Sequence, residues 1–390
     1  MKFILDSLTH CAPRIGTLKD FERLPSAVFE TPLLLIYTKR GSVPHLTKDV
    51  FKTVTKQQHL LSISLPSTLK MEECIKKLNV SFAEFVSMKE YINFLSIQDP
   101  TETTPLGFQQ ADSISVWSRE GRSIFTADKY MDLVESFEPD LYVALCDGNK
   151  HDSKKRISKA MCRSKTLTDQ CLRRHAASNK LKSKSILGAV EGGYDLQIRK
   201  ESVEYLIDKP LAGFVIDGLH QNGPDVKDIQ LKQIKNVIEH TINLLPADKL
   251  RVSLGCWNPL VTLELINLGI DIFDSSYPYI ITERSEALTF LCDHDSCKNI
   301  SHVLNFSEKS YKDDFSPICE HCECLTCKNH TRAYLHHLQM TKELLGMVLL
   351  MIHNMHHYIE FFKLIRQSIK EDKFNQFREK INLKFTKEDS

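Results

Sequence analysis

Five stretches in the middle of the chain carry apolar residues in nearly unbroken runs: DLYVALCDG (140–148), SILGAVEGG (185–193), AGFVIDGLH (212–220), LRVSLGC (250–256) and GIDIFDSS (269–276). A strand with one wet face alternates apolar and polar residues. A strand covered on both faces does not, so these runs predict buried parallel strands. Helical patterns separate several of them. In LKQIKNVIEHTINLL (231–245), Ile234, Val237, Ile238 and Leu245 fall on one face. In NPLVTLELINLG (258–269), Asn258 can cap the first turn, Pro259 sits where its missing N–H is not needed, and Gly269 lies beyond the end.

Repeated strand–helix units predict an α/β protein built on a parallel sheet. Several strands end in polar or glycine turns: Asp147-Gly148, Glu191-Gly192-Gly193, Asp217-Gly218 and Asp274-Ser275. In a (β/α)8 TIM barrel those C-terminal strand ends form the active-site mouth. An open doubly wound sheet competes, but no GxGxxG opens any of the helices, which argues against its dinucleotide-binding form. Residues 1–60 read as an N-terminal β-rich segment packed on the barrel, with LLLIYTKRGSVPHLT (33–47) an apolar run ended by a turn. Residues 61–390 read as the barrel domain, including a metal-binding subdomain at about 292–357. The stretch 292–318 is polar and poorly periodic and reads as a loop. From Thr331 to about residue 384 the pattern is helical.

Composition adds little until it is read locally. Lys plus Arg is 51 and Asp plus Glu is 50, so the overall balance implies no polyanion partner. From Lys150 to Lys184, however, twelve Lys or Arg face only Asp152 and Asp169. That run is either a solvated helix face or a phosphate-contacting surface. The opening MKFILDSLTH lacks the apolar core of a secretory signal. The apolar run Leu344–Ile352 is far short of the ~20 residues of a membrane-spanning helix. A soluble protein in a reducing compartment is expected, and there close cysteines point to metal before disulfides.

Twelve cysteines are present, and CECLTC (322–327) places Cys322, Cys324 and Cys327 on one tight knuckle. Thiolates with an imidazole suit zinc, and a closed Cys3His set leaves no position for water, so such a site is structural. The residues alone leave the histidine open among His353, His321, His330, His336, His337, His356 and His357. They also leave Cys292, Cys297 and Cys319 without a role, with a second site built on Cys292 and Cys297 an open alternative.

The spacing Cys-x-Cys-x2-Cys-x25-His, with NHTRAYLHHL inside it, resembles the zinc subdomain of the tRNA-guanine transglycosylase family. GFQ (107–109), EGG (191–193), GFVIDGL (213–219) and GIDIFDSSYP (269–278) fall in that family's order along nearly the whole chain. The resemblance implies a TIM barrel with one structural Zn2+ held by Cys322, Cys324, Cys327 and His353. LLLIYTKRGSVPHLT, ISVWSREGR (114–122), YPYIITERSEALTF (277–290) and CKNHTRAYLHHL (327–338) are similar to the family's accessory, non-catalytic members in eukaryotes. That implies a catalytic queuine tRNA-ribosyltransferase subunit as heterodimer partner, tRNA as the shared substrate and guanine-for-queuine exchange at the wobble position. Homodimerisation in isolation and peripheral association with the mitochondrial outer membrane are implied only by resemblance.

The same resemblance places the family's nucleophile at Asp274 and its proton-handling aspartate at Thr104, in TPLGFQ. A hydroxyl does not titrate near neutral pH and cannot act as a poised base. Pro105 and Leu106 add bulk where the family has Ser and Gly. Asp147, Glu191 and Gly218 stand at base-pocket positions. Glu191 replaces a neutral amide and, if ionised, offers only acceptors. Asp217, His220 and Gln221 crowd a turn of small residues, and Ile280 and Glu283 replace a tRNA-contacting arginine pair. The expected role is therefore a non-catalytic subunit. The alternatives are a competent transglycosylase using Asp274 and a zinc-based RNA-binding module without a transglycosylase partner.

Overall fold

The computed structural model describes residues 1–6, 13–148, 153–292 and 301–386. The chain divides into two compact units, residues 1–41 with 58–274 and residues 42–57 with 275–390. The first unit opens with a small antiparallel sheet of β1 (Lys2–Leu5), β2 (Gly16–Lys19) and β3 (Phe29–Thr31). Eight parallel strands then close a barrel: β4 (Leu33–Thr38), β5 (Leu60–Ser64), β6 (Ile92–Ser96), β9 (Leu141–Val143), β10 (Ser185–Val190), β11 (Gly213–Ile216), β12 (Leu250–Val252) and β13 (Ile272–Asp274). Between β6 and β9 an antiparallel hairpin, β7 (Ser113–Ser118) with β8 (Gly121–Thr126), is inserted. The TIM barrel expected from the unbroken apolar runs is present, and every residue of its eight strands is buried. The first stave, β4, lies inside the segment expected to pack on the barrel, and residues 42–57 of that segment belong to the second unit, with a helix at Lys48–Val54.

The second unit holds a short hairpin, β14 (Glu286–Leu288) with β15 (Val303–Asn305), and a set of helices at Ser276–Glu283, Leu325–Asn329, Arg332–Met340, Leu344–Lys370 and Phe374–Thr386. The stretch read as a plain loop at 292–318 therefore contains a strand. Three residues with only one neighbour between apolar partners give too little periodicity to be recognised.

Local chemistry sets the helix starts that aim the mouth of the barrel. Asn258 accepts from the Val261 N–H at 2.9 Å and Pro259 follows it, as the sequence predicts. Asp195 accepts from the Gln197 and Ile198 N–H groups and starts the helix Leu196–Leu206. Gly192, at φ +131°, admits that helix: a Cβ there would stand 2.7 Å from the Arg199 nitrogen.

The barrel closes where β13 pairs with β4, Ile272 opposite Leu33 and Asp274 opposite Leu35. Below that seam Arg14 grips Asp271 through Nε (2.7 Å) and Nη2 (2.5 Å), and also donates to the carbonyls of Ala247 and Lys249. Asp271 takes a further bond from the Arg251 N–H at 2.7 Å. Asp271 is fully buried, so loss of its cation leaves an uncompensated charge. Arg14→Ala is expected to destabilise the barrel unit by ~3–5 kcal/mol, read from its urea transition; an unshifted transition contradicts this.

Candidate functional site

The mouth of the barrel is assembled from strand ends. Asp274 closes β13, is 3 % exposed, and accepts the Gly255 N–H through Oδ2 at 2.6 Å. Thr104 lies in the loop after β6, with its N–H on the Gln221 carbonyl at 2.7 Å. Its hydroxyl has only long contacts, 3.4 Å to Gln98 Oε1 and 3.5 Å to Asn222 Nδ2. His220 accepts the Asn222 N–H at Nδ1 and donates from Nε2 to the Leu254 carbonyl at 3.1 Å. Its ring packs edge-on against Trp257 at 5.0 Å. The cavity left among Gln98, Cys146, Asp217, His220, Asn222 and Leu254 is about 30 Å³. That is room for a water or two; a second cavity, lined by Asp99, Thr103, Pro105 and Trp117 among others, is about 460 Å³ and of small-molecule size.

Sequence reading missed one acid here. Asp99, 3 % exposed, follows β6. Oδ1 accepts from Tyr37 Oη, the Thr101 N–H and Thr101 Oγ1, and Oδ2 accepts from Ser64 Oγ at 2.7 Å. With its lone pairs committed to these donors, Asp99 is tied into the wall rather than held out to a substrate. Only its nearness to TPLGFQ could have drawn attention to it.

Asp147, Glu191 and Asp217 stand together at the ends of β9, β10 and β11. Burial, then the neighbouring Asp147 charge, pushes Glu191 well above the carboxylate range. Neither of its carboxyl oxygens has a well-formed hydrogen bond. Burial thus disfavours the ionised, acceptor-only form of Glu191. Burial likewise pushes Asp217 up to about 6. Its Oδ1 accepts the Gly218 N–H at 2.7 Å, and Gly218 itself takes φ +75°. Beneath them Arg199 is fully buried and donates to the carbonyls of Val190, Gly193 and Asp217, tying β10 to β11. Asp147 carries Arg163 on Oδ2 and takes Ser164 Oγ on its N–H at 2.8 Å.

The basic run resolves into two parts. Lys150 and Asp152 lie outside the described residues. Lys154 pairs with Asp195, Arg174 with Asp128 and Asp132, Lys180 with Glu138, and Lys184 with Glu22. Lys155, Arg156 and Lys159, on the first turns of the helix Lys154–Ala177, are exposed, and no acid pairs with them among the described residues. Arg163, read as part of a surface run, turns inward instead.

In the second unit Cys322, Cys324, Cys327 and His353 converge. Their sulfurs lie 3.7, 3.6 and 3.3 Å from His353 Nδ1. A tetrahedral ion with bonds of ~2.3 Å to sulfur and ~2.0–2.1 Å to nitrogen separates such atoms by ~3.6 Å. The cluster is therefore a buried Cys3His site able to hold a metal ion. Cys324 caps its helix and accepts the Cys327 N–H. His353 Nε2 donates to the Leu288 carbonyl at 2.8 Å, which leaves the Nδ1 lone pair facing the sulfurs. Beside it, Asn354 accepts from the Leu288 N–H and donates to the Glu286 carbonyl and Thr282 Oγ1, locking β14 to the helix. The neighbouring Cys322 and Cys327 hold the Cys324 thiol below its ordinary range. Of the competing histidines, His336 turns to the Phe306 carbonyl and His330 stacks on Tyr334.

Cys292 and Cys319 are joined as a disulfide, against the expectation of metal before disulfides. His357 lies close enough to them to complete a ligand trio. Its Nε2, however, accepts the Leu291 N–H at 3.2 Å, so that nitrogen's lone pair is already used. Cys297, the alternative partner of Cys292, lies outside the described residues. Ile280 is buried, and Glu283 bonds His45 Nε2 at 2.6 Å.

Asp217 gives the barrel unit a testable pH signature. Its folded value, about 6, lies above the ordinary 3.8, so the protonated form favours the fold. That contribution is complete below about pH 3.8 and is lost as pH rises through about 6, by ~3 kcal/mol at most. Asp217→Asn keeps the acceptor to Gly218 and is expected to gain stability over the wild type between pH 4 and pH 7.5. Parallel urea transitions at the two pH values contradict this.

Residues 9–387 match the queuine tRNA-ribosyltransferase family profile. The chain is 39 % identical over 390 residues to the queuine tRNA-ribosyltransferase accessory subunit 2 of Culex quinquefasciatus, covering 98 % of this chain and 91 % of that one. It is 37 % identical to the protein of that name from Aedes aegypti (98 % and 92 % covered) and 38 % identical to that from Anopheles gambiae (97 % and 89 % covered). A barrel with polar strand ends, a Cys3His cluster in a separate helical unit and these full-length likenesses lead to one conclusion: the chain belongs to the queuine tRNA-ribosyltransferase family.

Proposed function

We propose that this chain is a non-catalytic subunit of a heterodimeric queuine tRNA-ribosyltransferase, which supports the catalytic partner and tRNA while guanine is exchanged for queuine at the wobble position. The observation that carries the reading is Thr104, whose hydroxyl cannot act as a poised base, at the position where the family resemblance places the proton-handling aspartate. Exchange at a ribose C1′ needs a carboxylate nucleophile and a second group to handle the proton. Asp274 could supply the first, but Thr104 cannot supply the second. The names of the relatives support the accessory role.

The second unit offers the chemistry of a docking surface. Phe315, Leu325, Tyr334, Met340, Leu344 and Leu345 are exposed, Leu344 by 84 %. Exposed large apolar side chains suit a protein partner. The partner is the catalytic subunit; in its absence a second copy of this chain can take its place. Lys155, Arg156 and Lys159 suit tRNA phosphates. A cytoplasmic location, with peripheral attachment at the mitochondrial outer membrane, goes with this reading and rests on the family resemblance. No helix among the described residues is long and apolar enough to cross a membrane.

The metal held by Cys322, Cys324, Cys327 and His353 is Zn2+, and its role is structural, because four protein ligands leave no open position. Because such a site couples binding to folding, removal of the ion loosens the second unit. His353→Ala is expected to reduce zinc from one per chain toward none by elemental analysis and to lower the thermal transition. Full zinc content in that variant contradicts the assignment.

The functional test is base exchange on tRNA by the purified chain alone and mixed with a catalytic subunit. The lone chain is expected to be inactive, since loss of the base alone costs ~10²–10⁴-fold. The mixture is expected to be active and to run as a heterodimer on a sizing column. Activity of the lone chain that Asp274→Asn abolishes would instead establish a competent transglycosylase. Tight tRNA binding with no heterodimer would establish an RNA-binding module.

A further inference from the structure

The larger cavity at the strand ends, about 460 Å³, lies wholly within the first unit. Arg40 bounds it after β4, where the chain turns out of the strand at φ +57° and the Arg40 N–H donates to Ser67 Oγ at 3.4 Å. Residues 66–71 and 99–105 bound it after β5 and β6, and the tip of the β7–β8 hairpin closes the fourth side. Inside and rim differ in character. Pro66, Leu69, Met71 and Trp117 are half-buried and make the inner lining apolar, whereas Arg40, Lys70, Arg119 and Glu120 are exposed. Three acids line the cavity, and each is already answered. Lys39 pairs with Glu102 at 2.6 Å and Lys70 with Glu120 at 3.1 Å. Asp99 is bound by the Tyr37, Ser64 and Thr101 hydroxyls. Arg40 and Arg119 remain: no acid pairs with either guanidinium among the described residues.

We propose that this cavity binds a free aromatic phosphomonoester of mononucleotide size, its ring against Trp117 and its phosphate on Arg40 and Arg119. Volume and lining set the body of the ligand. A few hundred cubic ångströms with apolar walls and few polar groups is the build of a small-molecule site. An indole in the wall favours a flat ring, and such stacking is tolerant of which ring it is. The rim sets the charged end. Guanidinium forks match phosphate oxygens in pairs, and two forks without acids can take one dianion. The acids of the rim decide against a strand. A nucleotide inside an RNA brings neighbouring phosphates with it, and these would pass Glu102 and Glu120, where like charge repels them. A free monoester brings only the phosphate that the arginines receive. The ion pairs Lys39–Glu102 and Lys70–Glu120 join opposite walls and so frame the opening. The inference concerns binding alone. It needs no proton acceptor at position 104 and does not rest on the accessory reading.

The chain has two tryptophans, and Trp257 is buried against His220, so emission reports on Trp117. The full-length protein is titrated with AMP, adenosine, inorganic phosphate and a short oligoadenylate RNA with hydroxyl ends, following tryptophan emission and Tm. AMP is expected to quench the emission and to raise Tm in a concentration-dependent way. Adenosine, phosphate and the RNA are each expected to bind at least about tenfold more weakly, the share of a charge-assisted hydrogen bond. Arg40→Ala/Arg119→Ala should weaken AMP by about tenfold or more, with an unshifted transition in the absence of ligand because both side chains are exposed. Arg119→Glu, a single reversal at the rim, is a second variant and should weaken AMP as well. In Trp117→Phe the quench should vanish while the rise in Tm stays. No effect of AMP at millimolar concentration, equal binding of adenosine, or stronger binding of the RNA overturns the proposal. So does AMP binding that survives both arginine variants unchanged, or a quench that persists in Trp117→Phe.

Discussion

Eight parallel strands close into a barrel only if the last can pair with the first, and here that seam is β13 against β4. The seam carries Asp274 to its place, because Asp274 is the last residue of β13 and lies in register with Leu35. Arg14 and Asp271 set the same strand from below, with the arginine's remaining donors spent on two carbonyls of the loop before β12. A barrel held this firmly at its seam can tolerate large changes at its strand ends.

At the mouth, Asp274 alone would permit a nucleophile's role, but it is buried with its Oδ2 on the Gly255 N–H. His220 occupies one side through two backbone contacts, Arg163 and the loop after β6 occupy another, and Glu191 is buried behind them with its carboxyl pushed well above the ordinary range. His220 and Arg163 are satisfied by their neighbours instead of waiting for a ligand. The Cys3His cluster is organised differently. Its sulfurs and imidazole are spaced for an ion, while Asn354 and the Leu288 carbonyl fix the ring from outside. One unit thus has its polar groups turned on each other, and the other has four groups turned toward a common point.

Much of this was legible in the chain. Unbroken apolar runs gave five of the eight staves, and Asn258-Pro259 marked a helix start to the residue. The knuckle 322–327 announced the metal-capable cluster, although the choice of His353 needed the family resemblance. The misses have physical causes. β4, β5 and β6 lie before the regular strand–helix alternation begins, so β4 was read as part of a separate segment. The strand at 303–305 is too short for a period to show. Arg163 belongs to a run of exposed cations, and only three-dimensional packing distinguishes the one that turns inward. Glu191 looks like any carboxylate in sequence, and its raised affinity for a proton follows from burial that sequence cannot display. Cys292 and Cys319, far apart in the chain, meet only after β14 and the knuckle are folded.

The central claim is that the mouth of this chain does no glycosyl chemistry of its own. A retaining exchange passes through a covalent bond between a carboxylate and the ribose C1′. Trapping that bond tests the claim most directly. Incubation with tRNA, with and without a catalytic subunit, is followed by denaturing gel separation and mass analysis of each subunit. The account predicts a tRNA adduct on the catalytic subunit and none on this chain. An adduct on this chain that disappears with Asp274→Asn would contradict it.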